Sequence, residues 1–315
     1  VKQKDKLVKK RNSNFINHFL MTIQQQPLSY AFFGTGALAE SVLASLVRAG
    51  YTPSVVVTKP DSMQGRHMQL IAPHIKVWAE MKGIKVLQPI KLDDEFISHL
   101  SPNSFDLFIV ASYGKIIPEN ILNIPSHGVL NVHPSLLPLY RGPSPLESVL
   151  LNGDMTTGVS IMKLDKEMDH GPILVQTAFV LNAETSAGKL EVECGQIGGE
   201  LLVQVLPAYI DGSLIPKEQN HSKATVCKKI TKDLGVITLT TNADEVRRKF
   251  RALTPWPSLY FFHTHDKKTI RVKITSVDLI SYKDLSSTAS DIILSVIPEG
   301  KKEMDWESFK RGYIQ

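Results

Sequence analysis

Two polar side chains, Asn131 and His133, stand at the end of the apolar run Gly128-Val129-Leu130 and just ahead of Pro134. In an extended strand alternate side chains share a face, so the amide of Asn131 and the imidazole of His133 project to the same side while Val132 turns into the core. A primary amide can donate to an oxyanion as it forms. An imidazole, with an unperturbed pKa of about 6.5, exchanges a proton near neutrality. The pair suits attack of an amine on an acyl carbon. An isolated Asn-x-His is a weak motif, however, because a strand-end Asn that bonds its own turn, with a His packed into it, reads the same way. Farther along, Met168-Asp169-His170-Gly171-Pro172-Ile173 carries the Asp169 carboxylate, one of several in that region, with Asp165 and Glu167 close by. Its place before Gly171 reads first as that of a turn former.

These residues need a scaffold, and the surrounding chain has the pattern of one. Tyr30-Ala31-Phe32-Phe33-Gly34 reads as a strand that turns at Gly34-Thr35-Gly36 into a helix with Leu38, Val42 and Leu46 on one face and Gly50 at its end. Ala39 stands where GxGxxG would have its third glycine, and no acidic residue closes the next strand, so the turn reads as a packing device rather than a nucleotide loop. The polar stretch Lys59 to Met68 reads as a loop too long to be a bare connection. A helix follows with Ile75, Trp78 and Ala79 inward, and Asp106 to Ala111 forms a continuous apolar run, as a strand covered on both faces requires. Further strands are expected at Gly158 to Leu164 and Leu174 to Val180, then a helix from Ala187 to Ile210. This is a doubly wound, Rossmann-like α/β domain, whose ligand crevice opens at the carboxyl ends of the strands. Asp211 to Ser222, with Gly212 and Pro216, reads as a linker. After it, a helix near Ala243 to Ala252 and short strands near 259–262 and 270–279 predict a smaller, mainly β domain resembling an oligonucleotide-binding (OB-like) barrel. The expected division is a basic, disordered extension over 1–27, a first domain over 28–210, a linker over 211–222 and a second domain over 223–315.

At 315 residues and 43% apolar, the chain is long enough for both domains. No apolar run is long enough to span a bilayer. Cys194 and Cys227 stand apart without metal-ligand spacing, so neither a disulfide framework nor a metal site is expected, and a cytoplasmic location follows as the default. The net charge of +5 divides into +5 over residues 1–27, −6 over 28–220 and +6 over 221–315. A basic second domain after an acidic first one points to a polyanionic partner. A solvated lysine-rich surface and, for the first 27 residues, an organelle transit peptide stay open as readings.

The residues after Asn131 narrow these choices. Asn131-Val132-His133-Pro134-Ser135-Leu136-Leu137-Pro138, closed by Arg141-Gly142, resembles the signature of the 10-formyltetrahydrofolate-dependent formyltransferases. From about Tyr30 onward the chain is similar in particular to the members that act on methionyl-tRNA. Lys59-Pro60-Asp61 with Gly65-Arg66, Tyr113-Gly114, Met168-Asp169-x-Gly171-Pro172-Ile173, Pro255-Trp256-Pro257 and Pro298-Glu299-Gly300-Lys301-Lys302 carry that likeness in order. The resemblance implies a monomeric enzyme without a metal. It would move the formyl group of 10-formyltetrahydrofolate to the amino group of methionine on initiator methionyl-tRNA. It also implies Asn131, His133 and Asp169 as the catalytic residues, Ser135, Leu136, Leu137 and Pro138 as the segment holding the folate, and Tyr113-Gly114 as lining the same pocket. Four departures stand out. The glycine turn reads Gly34-Thr35-Gly36-Ala37, the loop after Asp61 leaves Arg66 as its phosphate-binding candidate, Thr254 precedes Pro255, and only the short stretch Ile280 to Ile297 separates Leu279 from Pro298. The last of these predicts an abbreviated barrel.

Overall fold

The computed structural model describes residues 28–64, 68–100, 104–265, 267–281 and 286–314. The basic extension over 1–27 and the phosphate-binding candidate Arg66 lie outside the described residues. The chain opens with β1 (Tyr30–Gly34), buried along its whole length, and turns into α1 (Gly36–Arg48). A Cβ at Gly34 would lie 2.6 Å from Ala39 Cβ and 2.9 Å from the Ala111 carbonyl oxygen, so this glycine lets helix and neighbouring strand close over the turn. β2 (Val55–Val57) follows. The stretch expected as a long polar loop contains a hairpin, β3 (Ser62–Gln64) with β4 (Gln69–Ile71), and β4 is exposed throughout. With β4 exposed on both faces, the hairpin lacks the alternation that would have announced it.

The first domain continues with α2 (His74–Met81), β5 (Val86–Leu87), α3 (Asp94–Leu100), β6 (Leu107–Ala111), α4 (Glu119–Leu122) and β7 (Val129–His133). It ends with α5 (Pro145–Asn152), β8 (Thr156–Lys163), β9 (Ile173–Val180) and α6 (Ala187–Ile210). The strands form one sheet in the order β5-β2-β1-β6-β7-β8-β9, parallel up to β7 and antiparallel over the last two. The chain order reverses between β1 and β6, which opens a crevice at the carboxyl ends of β1, β6 and β7. Thr35 N–H donates to the Ser112 carbonyl (3.2 Å) across that gap.

α6 carries three interior glycines, each costing a helix about 1 kcal/mol. Close packing offsets this: a Cβ at Gly195 would meet the Leu38 carbonyl at 2.6 Å, one at Gly199 would meet Ser45 Cβ at 2.5 Å, and one at Gly198 would meet Val132 Cγ1 at 2.4 Å. The last contact seats Val132 in the core, which fixes the direction of the two polar residues flanking it.

The second domain holds α7 (Ala243–Leu253), β10 (Tyr260–His265), β11 (Lys268–Val277), α8 (Ala289–Ile292), β12 (Ile293–Pro298), β13 (Met304–Asp305) and α9 (Trp306–Tyr313). Its strands make an antiparallel sheet in the order β10-β11-β12-β13, and Val236 bridges to Tyr260 on the β10 edge. The short span before Pro298 accommodates α8 and β12. α9 then completes the domain by packing Trp306 and Phe309 on Phe261, with ring centroids 6.1 and 5.8 Å apart. The two domains share a core in which Val246 and Leu253 of α7 join Val149 and Leu150 of α5. The connection between them lies against the first domain, with Lys217 paired antiparallel to Ile173 and Val226 bridged to Arg141. No helix among the described residues is long and apolar enough to cross a membrane.

Candidate active site

The sheet brings Asn131 and His133 to one cavity at the end of β7, and the turn carrying Asp169 closes over them. Asn131 is half-buried, and its side-chain amide has no hydrogen-bond partner among the described residues. His133 is buried, with Nε2 2.9 Å from the Tyr140 carbonyl oxygen. A carbonyl can only accept, so Nε2 carries the hydrogen and Nδ1 is the lone-pair nitrogen of the neutral ring. Nδ1 lies 3.6 Å from Asp169 Oδ1, beyond hydrogen-bond length but within Coulombic reach. The other carboxylate oxygen, Asp169 Oδ2, accepts from Gly142 N–H at 2.7 Å. Asp169 itself has φ +51°, a left-handed backbone that costs a non-glycine residue on the order of 1 kcal/mol and persists where surroundings hold it.

Those surroundings come from the linker. Gln219 is buried, accepts from Arg141 Nε and Nη2 (3.2 and 2.7 Å), and donates to the carbonyls of Asp169 and Gly171 (2.9 and 2.7 Å). Arg141 Nη2 also donates to His221 Nδ1 (2.9 Å), and the His221 ring stacks on His170 at 4.0 Å. Farther along, Thr225 and Cys227 run beside the signature loop: Arg141 N–H donates to the Thr225 carbonyl (2.9 Å) and Cys227 N–H to the Arg141 carbonyl (2.8 Å). No sequence signal singled out Gln219, a linker amide whose partners lie about fifty and eighty residues away.

The cavity has a volume of about 740 Å³. Its lining draws on both apolar clusters of the core: Val110, Tyr113, Ile117, Leu122 and Leu164 belong to one, Leu38, Leu146 and Ala252 to the other, and Gly114 to Ile116, Glu147, Glu191, Pro255 and Trp256 line it as well. Burial pushes the Tyr113 phenol up to about 12, so it stays neutral, and its buried Oη has no hydrogen-bond partner among the described residues. Burial raises the Glu147 carboxyl, which also lines the cavity, above its ordinary value, and the Glu191 charge adds to the rise. Glu191 Oε1 accepts from Leu38 N–H (3.3 Å) at the start of α1. The protein's own carboxylate thus occupies the helix N-terminus that a nucleotide phosphate would need.

The expected folate segment is placed differently. Ser135, Leu136, Leu137 and Pro138 do not line this cavity, although the preceding Pro134 does. Their polar groups are consumed inside the fold. Ser135 Oγ donates to the Leu139 carbonyl (2.6 Å), Ser160 Oγ to the Ser135 carbonyl (2.6 Å), Leu137 N–H to Ser160 Oγ (3.1 Å), and Gln176 Nε2 to the Leu137 carbonyl (2.8 Å). Leu136 fills the space a side chain at Gly158 would take. These four residues anchor the signature loop to β8 and β9, and the residues after β6 supply the wall of the cavity instead.

The exposed face of the second sheet pairs aromatic with basic side chains. Arg271 lies over the Tyr260 ring at 3.8 Å, Phe262 opposite it is 59% exposed, and Lys273 pairs with Tyr260 across the strands. Among the described residues no group of three or more metal-capable side chains occurs.

Residues 29–206 match the formyl transferase family, and residues 229–293 match the formyl transferase C-terminal domain. A methionyl-tRNA formyltransferase of Chloroflexus aurantiacus is 42% identical over 252 residues, covering 78% of this chain and 80% of the relative. Another, from Carboxydothermus hydrogenoformans, is 34% identical over 295 residues, covering 90% of this chain and 96% of the relative. Among solved structures, HypX of Aquifex aeolicus in complex with tetrahydrofolic acid superposes with a TM-score of 0.64 at 14% identity, over 91% of this chain and 48% of that one. An N-formyltransferase of Helicobacter canadensis, in complex with folinic acid and dTDP-3-aminofucose, gives 0.57 at 19% identity, over 82% and 91%. These two share the fold. With both domains matched in order and close relatives covered over most of their length, the chain belongs to the formyltransferase family, among the methionyl-tRNA formyltransferases.

Proposed function

We propose that this protein transfers the formyl group of 10-formyltetrahydrofolate to the amino group of methionine on initiator methionyl-tRNA, for translation initiation, acting as a cytoplasmic monomer without a metal. The observation that carries the reading is the convergence of an amide, an imidazole and a carboxylate on one cavity that both domains line. The folate end is the wall from Tyr113 to Ile117 with Val110 and Leu122, whose apolar side chains suit a flat ring system. Ser135, Leu136, Leu137 and Pro138 act on the folate indirectly, by holding the strand end in place. At the other end Leu38, Leu146, Pro255 and Trp256 provide an apolar surface for the methionine side chain, whose thioether favours an aromatic neighbour.

In this reading the methionine nitrogen attacks the formyl carbon, and the carbonyl electron pair moves onto oxygen. The Asn131 amide donates to that oxyanion. His133 Nδ1 takes the proton the amine gives up, and Asp169, 3.6 Å away, stabilises the imidazolium and orients the ring. Protonated Nδ1 can then support the oxyanion. As the carbonyl re-forms and the bond to folate N10 breaks, this proton passes to N10, leaving tetrahydrofolate and formylmethionyl-tRNA. Exposed Phe262 supplies stacking surface for the tRNA, and Arg271, held over the buried Tyr260 ring, supplies charge together with Lys273. The test is formyl transfer from 10-formyltetrahydrofolate to methionyl-tRNA, with free methionine and an amino sugar as control acceptors. Transfer to methionyl-tRNA at least a hundredfold more efficient than to either control is expected, and preference for the amino sugar would overturn the reading.

A further inference from the structure

We propose that Gln219, in the linker, is a positioning residue for the Asp169 carboxylate. This rests on the reading of Asp169 as a catalytic group. Asp169 spans two segments of chain from the cavity side, with one oxygen on Gly142 N–H and the other facing His133 Nδ1. Gln219 spans the same two segments from behind, because its oxygen takes two N–H groups of Arg141, next to Gly142, while its nitrogen holds the carbonyls of Asp169 and Gly171. A side-chain amide has two donor hydrogens and two acceptor lone pairs, and all four are used here. Its orientation is unambiguous, since only the nitrogen can face two carbonyls and only the oxygen a guanidinium.

The turn needs such a hold. Asp169 keeps a left-handed backbone, and its carboxylate faces His133 from that conformation of the chain. Pinning the carbonyls on both sides of His170 fixes the turn without touching any group that meets substrate. The linker is therefore part of the site's support as well as a connection between domains.

The distinguishing variant is Gln219→Glu in the full-length chain. An introduced carboxylate still accepts from Arg141 but has no hydrogen for the two carbonyls. It is expected to lower kcat with methionyl-tRNA by about 10–100-fold, the scale of a misplacement near 1 Å. The KM for 10-formyltetrahydrofolate should stay within about twofold, since the proposed folate wall, Val110, Tyr113 to Ile117 and Leu122, lies on segments that Gln219 does not bond. Gln219→Met, of similar length and without charge, should behave alike, and thermal unfolding reports whether each variant is folded. In an Asp169→Asn background the Gln219→Glu change should cost less than about threefold, because both act through one carboxylate. Undiminished kcat in the folded Gln219 variants, or losses that multiply in the double variant, would overturn the positioning role while leaving Asp169 in place. Undiminished kcat in Asp169→Asn alone would instead remove the reading of the site on which the role depends.

Discussion

His133 is held at Nε2 by the Tyr140 carbonyl and faces Asp169 across 3.6 Å at Nδ1, whereas the Asn131 amide has no partner among the described residues. A donor without a ground-state partner costs nothing to redirect when charge develops on the substrate. Replacing Asn131 with Ala should therefore lower kcat by about 10²–10³ and change folate affinity little. Single-turnover kinetics alongside a folate titration would check both; a variant that loses folate affinity and keeps kcat would assign the amide to binding. Glu147 behaves in the opposite way. Burial raises its pKa in the folded protein above that of the unfolded chain, so ionisation is disfavoured in the fold. The penalty is absent below the unfolded value of about 4.3, grows as pH rises, and is complete above the folded pKa. Glu147→Gln should thus raise the melting temperature at pH 8 and leave it nearly unchanged at pH 4. An equal gain at both pH values would point to a packing effect instead.

At the scale of elements, close approach of α6 to α1 and β7 is what gives the site its rigidity. Gly199 faces Ser45 so closely that a valine there must push the two helices apart. Gly199→Val should destabilise the protein by about 1–3 kcal/mol, as overpacking of a close interface does. Urea unfolding measures this, and unchanged stability would mean that the helices can separate freely. Much of this level was legible from residues. The apolar runs of β1 and β6 read as short strands, the latter as one covered on both faces, and α6 was expected over Ala187–Ile210, ahead of the linker glycine Gly212. The hairpin of β3 and β4 was not legible, because β4, exposed on both faces, carries no period. The closing helix α9 has its aromatics at Trp306, Phe309 and Tyr313, a helical spacing, but its stability comes from Phe261 in β10.

At the scale of the molecule the two domains share a core and a cavity, yet their surfaces differ in charge. Residues 28–220 carry a net −6 and residues 221–315 a net +6. Each phosphate neutralised contributes about 0.7–0.9 to the slope of log affinity against log salt. A double change of Arg271 and Lys273 to Ala should flatten the slope for methionyl-tRNA by about 1.4–1.8 if each cation meets one phosphate. Turnover at saturating tRNA should be kept, because neither residue lines the cavity. Filter binding across a salt series is the measurement, and an unchanged slope would move the tRNA contact off this sheet.

The sequence by itself determined the chemistry on offer and the class of fold. Asn131 and His133 share a face because strands alternate, and a run of matching motifs identified the family, since both depend on neighbours along the chain. Tertiary structure alone decided which residues meet. Ser135 to Pro138 belong to the signature and yet turn away from the cavity, because Ser160 and Gln176 on two other strands take their hydrogen bonds. Gln219 has nothing around it in sequence to mark it, and becomes part of the site's support only when the linker crosses behind Asp169. Spacing along a chain encodes the local period of a helix or strand. The partners of a buried amide are set by how distant segments pack, and no local period records them.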